Sequence, residues 1–482
     1  MATVSARAAT VPRIAIVGGG YTGAAAAVQL TSASDATVVI VEPRAQPGCG
    51  VAYSTRDPDH RLNGPLDNHL VDPGRPGDLR DWCEKTGVLE RDPQALAANG
   101  AIYLRRGDFG AHVAHTLAER SSRIRHRRCL ATALRTKGRR YEITTSDGGT
   151  LGADALVVAT GTGGFRPPAL LARLGSHAAL VHDPFEASSL QSIAATARVL
   201  LVGAGLTALD VVSTLLRQGH TQPILAISRH GIRPRAPRDG AGETPVTALL
   251  AKIDGEVPDY VRRAVGSAGI RGLSRALRER IREAAAEGID WQTPFDDVRN
   301  VVWQFWPALP VEEKTRFFRH LRGIYDAHRF RAPPQNDLIV REGERRGRVV
   351  FRRGRLEDAT AAGRRIRMTW CEETQRRATA DFDYVINCTG LDPMFGAGDN
   401  PFLSDLMQQG ILRADPTGIG FDVDSECRPI GRDGSASARL RVAGPPTAGS
   451  RGDPLGVIFI APHIRRMIPG LLAEIGASTP LT

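Results

Sequence analysis

Ile14-Ala15-Ile16-Val17-Gly18-Gly19-Gly20-Tyr21-Thr22-Gly23, followed by the Ala-rich run Ala24 to Leu30, is the stretch from which the fold is read. Four apolar residues of strand character lead into a Gly-x-Gly-x-x-Gly turn, and the turn opens a helical stretch. A second apolar run, Val38 to Val41, ends at Glu42. Strand, glycine turn, helix and strand at this spacing predict a βαβ unit that binds a dinucleotide. In such a turn Gly18 permits the tight bend, Gly20 lets the backbone approach a pyrophosphate, and Gly23 allows the helix to pack closely on the strand. The helix start then offers free N–H groups and a partial positive charge to phosphate. Glu42, at the end of the second strand, is placed to accept hydrogen bonds from an adenosine ribose diol.

The same grammar recurs in mid-chain. Arg198 to Val202 leads into Gly203-Ala204-Gly205-Leu206-Thr207-Ala208, a helix is expected from Leu209 to Leu216, and a strand from Ile224 to Ile227 runs into Ser228-Arg229-His230. Ala208 stands where the third glycine would be, which implies slightly looser packing. No acid follows the second strand. A carboxylate there would repel a 2′-phosphate, whereas Ser228 and Arg229 suit one, so NADPH is favoured and NADH stays possible. The alternative is that Arg229 is a solvated loop cation.

Tyr141 to Thr145 and Ala155 to Ala159 are expected as strands, the latter stopping at Thr160-Gly161. Tyr384 to Asn387 stops at Cys388-Thr389-Gly390 in the same way. Such Thr-Gly stops suit places where the chain crosses between two nucleotide-binding units. From about Gly240 to Arg331 the pattern is helical, with a charged amphipathic run from Val311 to His328. The expected fold is α/β: a discontinuous FAD domain over 12–190 and 380–482, and a Rossmann-like NAD(P)H domain over 196–379 that carries a helical insertion at about 240–331.

Composition narrows the function. A chain of 482 residues with 42% hydrophobic and 24% charged residues has the bulk for two or three packed domains. The net charge of +11 is carried almost wholly by arginines scattered along the chain, without the aromatic spacing of an RNA-binding sheet, so nucleic acid is not expected. Cysteines 49, 83, 129, 371, 388 and 427 form no C-x-x-C pair and have no histidine at metal spacing, so neither a redox disulfide nor a metal site is expected. Met1 to Arg13 has no apolar signal core and no run reaches membrane length. A cytoplasmic enzyme is the expectation.

Further segments carry a resemblance. Gly48-Cys49-Gly50-Val51-Ala52-Tyr53-Ser54, His60-Arg61-Leu62-Asn63, Arg106 with Phe109-Gly110, Gly205 to Asp210, Ser228 to Gly231, Arg319 to Arg331, Gly444-Pro445 and Pro462-His463-Ile464-Arg465 follow in one order along the chain. Together they resemble the bacterial FAD/NAD(P)-binding flavoproteins that include urate hydroxylases and aspartate N-monooxygenases. The resemblance implies FAD, a reduced nicotinamide and O2. It also implies oxygen transfer through a flavin hydroperoxide to a small anionic, nitrogen-rich substrate. Urate hydroxylation leads, and N-hydroxylation of an amino acid such as aspartate is the alternative. A flavin oxidase that oxygenates nothing, or a nucleotide-binding protein without activity, are readings of other classes.

On this resemblance Asn63 and His60 lie in a loop near the flavin ring, though an Asn there also caps its own backbone readily. His463 and Arg465 follow an expected Val457 to Ile460 strand and would open a helix at the flavin edge. Arg322, Asp326 and Arg329 share a helix face beside His328, which is either an ion-paired solvent face or an anion site with a proton carrier. Gly444 is followed by Pro445-Pro446 where many such proteins place an Asp, so backbone must replace that contact.

Overall fold

The computed structural model describes residues 11–186, 188–238, 244–390, 392, 394, 396–452 and 455–477. The Met1 to Thr10 part of the leader and Gly240, the expected start of the insertion, lie outside the described residues.

β1 (Arg13–Val17), α1 (Tyr21–Ala33) and β2 (Thr37–Val41) form the first βαβ unit. β1 and β2 pair in parallel with Ile14 opposite Val38. α1 has no polar outer face: Ala24 to Val28 and Leu30 are all fully buried, because the helix is sandwiched between sheet and C-terminal helix. α2 (Arg106–Ala118), β3 (Ile124–Arg127), the antiparallel meander β4 (Ala131–Lys137), β5 (Arg140–Thr145) and β6 (Thr150–Ala153), and β7 (Ala155–Val158) follow.

The chain then crosses to a second sheet. This contains β8 (Leu180–Val181), β9 (Val199–Val202), α3 (Leu206–Arg217) and β10 (Ile224–Ser228). Five helices come next: α4 (Val246–Asp254), α5 (Asp259–Ala286), α6 (Gln292–Phe305), α7 (Val311–His320) and α8 (Arg322–Arg329). α9 (Pro334–Arg345) returns the chain to β11 (Val349–Ala362), which is parallel to β10, so the helical block is inserted into a βαβ crossover. β12 (Arg365–Glu372) and β13 (Arg377–Phe382) continue antiparallel, and β14 (Tyr384–Asn387) slots between β9 and β8. Finally α10 (Pro401–Gln408) leads to β15 (Leu440–Val442), which rejoins the first sheet beside β7, and α11 (Val457–Ile475) closes the chain.

The first sheet is parallel in the order β15-β7-β1-β2-β3, and the second runs β13-β12-β11-β10-β9-β14-β8. In each, the strand carrying the glycine turn lies next to one that ends in Thr-Gly, and the chain changes sheet after each of those two strands.

One expectation is corrected. Val457 to Ile460 is the first turn of α11, not a strand. A β-branched, aromatic run reads as strand when isolated, but here it is a helix start buried against α1 and needs no alternation. The amphipathic run of 311–328 is helical throughout, as two helices that meet at Leu321, which stays in the right-handed helical region at φ −113°, ψ −24°.

Candidate functional site

The two glycine turns are the same object built twice. Gly18 has φ +104° and Gly203 φ +117°, and their amides donate to Val41 and Ile227, the neighbouring strand in each case. A Cβ on Gly18 would stand 2.3 Å from the carbonyl oxygen of Ala159, and one on Gly203 2.3 Å from that of Cys388. Each turn is therefore wedged against the strand end beside it, and only glycine fits. The helices that follow start alike, with Gly20 at φ −71°, ψ −171° and Gly205 at φ −79°, ψ −169°, and neither start has a side-chain cap or an acid in its first turn. Their first amides are left for an external acceptor. A Cβ on Gly20 would meet nothing nearer than 3.5 Å, and one on Gly205 nothing within 4 Å, so backbone is bared where a phosphate would sit. Gly23 lies 2.0 Å, by the same measure, from the Gly18 carbonyl oxygen, whereas Ala208 packs fully buried in the second turn.

Around the first turn, Glu42 receives the Gly19 amide at 2.8 Å on one oxygen and the Arg44 amide at 3.0 Å on the other. A carboxylate has about four lone-pair sites, so acceptor capacity remains for a ribose diol. Thr160 Oγ1 is buried without a hydrogen-bond partner among the described residues, and Gly161 holds φ +77°. An orphaned hydroxyl beside a bare helix start is what a bound polar group would satisfy. Gly444, at φ +78°, lets its backbone sit on Thr22: a Cβ there would lie 2.7 Å from Thr22 Oγ1. Gly390, at φ +97°, ends the matching turn in the second sheet with open space about it. The residues present fit two dinucleotides.

In the second unit Thr207 is half-buried in the first turn of α3. Ser228 Oγ accepts the Gly231 amide at 3.0 Å, and Arg229 is exposed at the end of β10 without an ion pair among the described residues.

Where the two units meet, His60 is buried, its Nδ1 2.8 Å from Thr55 Oγ1 and its ring against Phe185. Burial, and then the Arg106 guanidinium, pull its pKa down to about 4. Arg106 does not reach for a phosphate. It crosses to α3, making an ion pair with Asp210 at 2.7 Å whose alignment falls short of a hydrogen bond, while its Nε donates to the Arg61 carbonyl at 3.0 Å and Nη2 reaches Asn63 Oδ1 at 3.4 Å. Arg106, expected at the cofactor, ties the two units together in this structure. Asn63 stays half-buried at that junction.

The C-terminal helix redistributes the remaining candidates. His463 is buried and faces a cavity lined by Ile253, Arg299, Val302, Trp303, Arg451, Phe459 and Arg466. Arg465 is exposed and extends toward Gly74 instead. It is Arg466 that turns inward, its guanidinium 3.9 Å over the Trp303 ring and paired with Asp254. Arg466, one position on, faces the cavity in place of Arg465. His328 is also set apart: it stacks on Phe295 at 5.1 Å and packs edge-on to Trp291, with Nδ1 2.7 Å from the Ile324 carbonyl oxygen. It serves the insertion's own core. Arg322 and Arg329 both pair with Asp326, so that face is the ion-paired one.

Two arginines that no sequence motif singled out, Arg299 and Arg451, also line the His463 cavity. Arg451 is 7% exposed and makes no hydrogen bond or ion pair with the described residues. Arg299 pairs loosely with Asp296 at 3.4 Å, and the Nε of each arginine is buried without a partner. The two are far apart in sequence and belong to no motif. The one local signal was an arginine at the apolar spacing of Val298, Val302 and Trp303 on α6.

Two cradles on two sheets, with a helical block over the junction, define a two-dinucleotide, FAD- and NAD(P)-binding fold that resembles that of flavin monooxygenases. Residues 15–163 match a family model described as FAD-NAD(P)-binding, which takes in the first glycine turn and the first Thr-Gly stop. Among solved structures the chain is similar to ornithine hydroxylase from Pseudomonas aeruginosa, at 15% identity and a TM-score of 0.63, over 96% of this chain and 100% of that one. It is also similar to L-lysine 6-monooxygenase from Pseudomonas syringae, at 15% identity and 0.64, over 96% and 99%. A third is the ornithine N-hydroxylase of Kutzneria sp. 744, with reduced FAD, NADP+ and L-ornithine, at 16% and 0.61, over 97% and 99%. No curated protein matches. No described helix is long and apolar enough to cross a membrane.

Proposed function

We propose that this chain is an FAD- and NADPH-dependent monooxygenase that hydroxylates the amino nitrogen of a small amino acid with two carboxylates, of which aspartate is the simplest. The observation that carries this is Arg451, a buried guanidinium with no anionic partner among the described residues, beside Arg299 at a cavity of about 10 Å³ that would have to widen to admit a substrate. A buried unpaired charge is costly unless a ligand completes it. Two guanidiniums match two carboxylates, each charge-assisted contact contributing about 1.5–3 kcal/mol.

The amino-acid N-hydroxylases among the similar structures support nitrogen as the target, which favours the alternative over ring hydroxylation of urate. The cavity argues for a departure from them. Ornithine and lysine carry a cationic side chain, which would meet Arg299, Arg451 and Arg466 with like charge. Bound FAD, reduced by the nicotinamide, supplies the activation of O2. The chain's own residues hold the substrate and, with Trp303, Val302 and Phe459, line its cavity with apolar surface.

The test is NADPH oxidation by the FAD-loaded protein with aspartate, glutamate, ornithine, lysine and urate, with peroxide and hydroxylamine measured together. Aspartate should raise turnover and yield hydroxylamine. Arg451→Ala should raise its KM about 10- to 100-fold. Peroxide equal to NADPH consumed with every compound would leave an oxidase, and stimulation by urate alone would restore the ring-hydroxylation reading.

A further inference from the structure

The second sheet is uncovered at the end away from its glycine turn. β11 runs on past its parallel partner β10, shifts register between Leu356 and Asp358, and returns as β12 and β13, which bring Trp370 and Phe382 over the face that carries Leu200, Val202 and Ile227. Where β9 and β10 begin, that cover stops short. Leu225 and Val350, opposite each other in the parallel register, stay half-buried there, and beside them lies a groove of about 330 Å³ with Trp370, Ala380 and Phe382 on its far side. This is room for a small ligand. Arg198 and Val199 stand where β9 opens, whereas Gly203 follows its last residue, so the groove and the second cradle lie at opposite ends of the same strand.

Two groups in the groove lack partners. Trp370 is 5% exposed, and its Nε1–H is buried without an acceptor among the described residues. A buried indole N–H ordinarily finds one. Gly354 shares a face of β11 with Val350 and Arg352, and a Cβ on it would stand 3.3 Å from Trp370 Cδ1, the carbon bonded to Nε1. The polar edge of the indole therefore lies over the strand face that lines the groove. The second group is Arg198, whose exposed guanidinium lies 5.7 Å over the Phe382 ring and makes no ion pair or hydrogen bond with the described residues. Asp383 is engaged otherwise: it takes the Arg198 backbone amide at 2.8 Å and pairs with Arg365 at 2.7 Å. The other cation at the rim, Arg352, is paired with Glu372 at 2.9 Å, and no acidic side chain lines the groove among the described residues.

We propose that this groove is a ligand site separate from both cradles and that it takes a planar aromatic carboxylate. The ring rests on Trp370 and Phe382, the carboxylate faces Arg198 as its counter-ion, and the Trp370 N–H donates to it. The unpaired donors tell against simpler occupants. A neutral aromatic leaves Arg198 without a counter-ion and the indole without an acceptor, and a bare phosphate leaves the apolar walls of Val199, Leu225 and Val350 in water. The site is independent of the chemistry at the flavin, so its failure would leave the monooxygenase reading standing.

Naphthalene-2-carboxylate is the probe: it is flat, carries one carboxylate and has no nitrogen to hydroxylate. Titrated calorimetrically into the FAD-loaded protein, it should bind, and saturating NADP+ should leave its affinity within about twofold. Arg198→Ala, a change at an exposed side chain, should weaken it about tenfold, and the neutral naphthalen-2-ylmethanol should lose a similar factor in the original protein. Trp370→Phe keeps the aromatic floor and removes the N–H, which should weaken binding by about threefold to tenfold. In spectra of protein labelled with 15N-tryptophan, the indole signal absent from Trp370→Phe should be the one that moves on titration. Displacement by NADP+, unchanged affinity in Arg198→Ala, an unmoved Trp370 signal, or no binding at millimolar probe would each overturn the proposal. Should Trp370→Phe not fold, Arg198→Ala and the neutral alcohol decide.

Discussion

Gly18 and Gly20 stand two residues apart and have opposite tolerances. Gly18 is locked by its own fold, since φ +104° and a Cβ 2.3 Å from a carbonyl oxygen leave no room for a side chain. Gly20 has ordinary φ and a Cβ position 3.5 Å from its nearest neighbour, so the polypeptide itself does not require glycine there. A ligand does. Gly20→Ala should therefore keep the melting temperature of the flavin-free protein and lose FAD affinity, whereas Gly18→Ala should lower flavin-free stability by roughly 1–3 kcal/mol. Thermal melts and flavin absorbance after gel filtration check both, and full flavin occupancy in Gly20→Ala would remove the cradle assignment. At this scale the sequence was most legible where backbone geometry dictates residue type, as at Gly18, Gly23 and Gly203. It was least legible where a side chain's direction decides. Arg465 and Arg466 are adjacent arginines in one helix, and only the packing of α11 on the insertion tells which faces inward.

β10 ends at Ser228 and hands Arg229 to solvent at the edge of the second cradle, while the corresponding end of β2 in the first unit carries Glu42. The two elements are otherwise matched, so the exchange of an acid for a cation is the difference that bears on cofactor choice. Arg229→Ala should raise KM for NADPH about 10- to 100-fold, the worth of one charge-assisted hydrogen bond, and leave NADH nearly unchanged. Steady-state flavin reduction with both nucleotides measures it, and an equal loss for both would show a solvated loop cation. Both βαβ units were legible because strand, turn and helix signals reinforce one another over some 30 residues. α11 was not, because Val457-Ile458-Phe459-Ile460 has strand propensity and its helical form is imposed by burial against α1. Arg299 sits on a helix that was expected, yet what it faces depends on how the insertion folds back over the C-terminal element, and no local pattern encodes that.

Across the whole molecule, the junction between the two sheets is polar and buried. Arg106 from the first unit meets Asp210 from the second, Asn336 Nδ2 approaches Asp210 at 3.4 Å and donates to the Asp59 carbonyl at 2.9 Å, and Thr214 donates to Asp57 at 2.9 Å. These contacts fix how the first cradle faces the second. Asp210 is also a titration marker for the junction. Burial raises its pKa to about 6, above its ordinary 3.8, with Arg106 pulling the other way. A carboxyl whose folded value is raised favours the native state most when protonated, so that contribution is present below about pH 4 and is lost as pH climbs to about 6. Arg106→Met removes the cation that limits the rise and pushes Asp210 higher still. The variant should be less stable than the original protein by about 3–5 kcal/mol at pH 8, the cost of breaking a buried pair. Part of that deficit should disappear as pH falls from 8 toward 6, where Asp210 takes up its proton, while the original protein is nearly level over the same window. Urea midpoints from pH 5 to 8 test this, and a deficit that stays constant across the range would show that Asp210 does not carry the junction's charge.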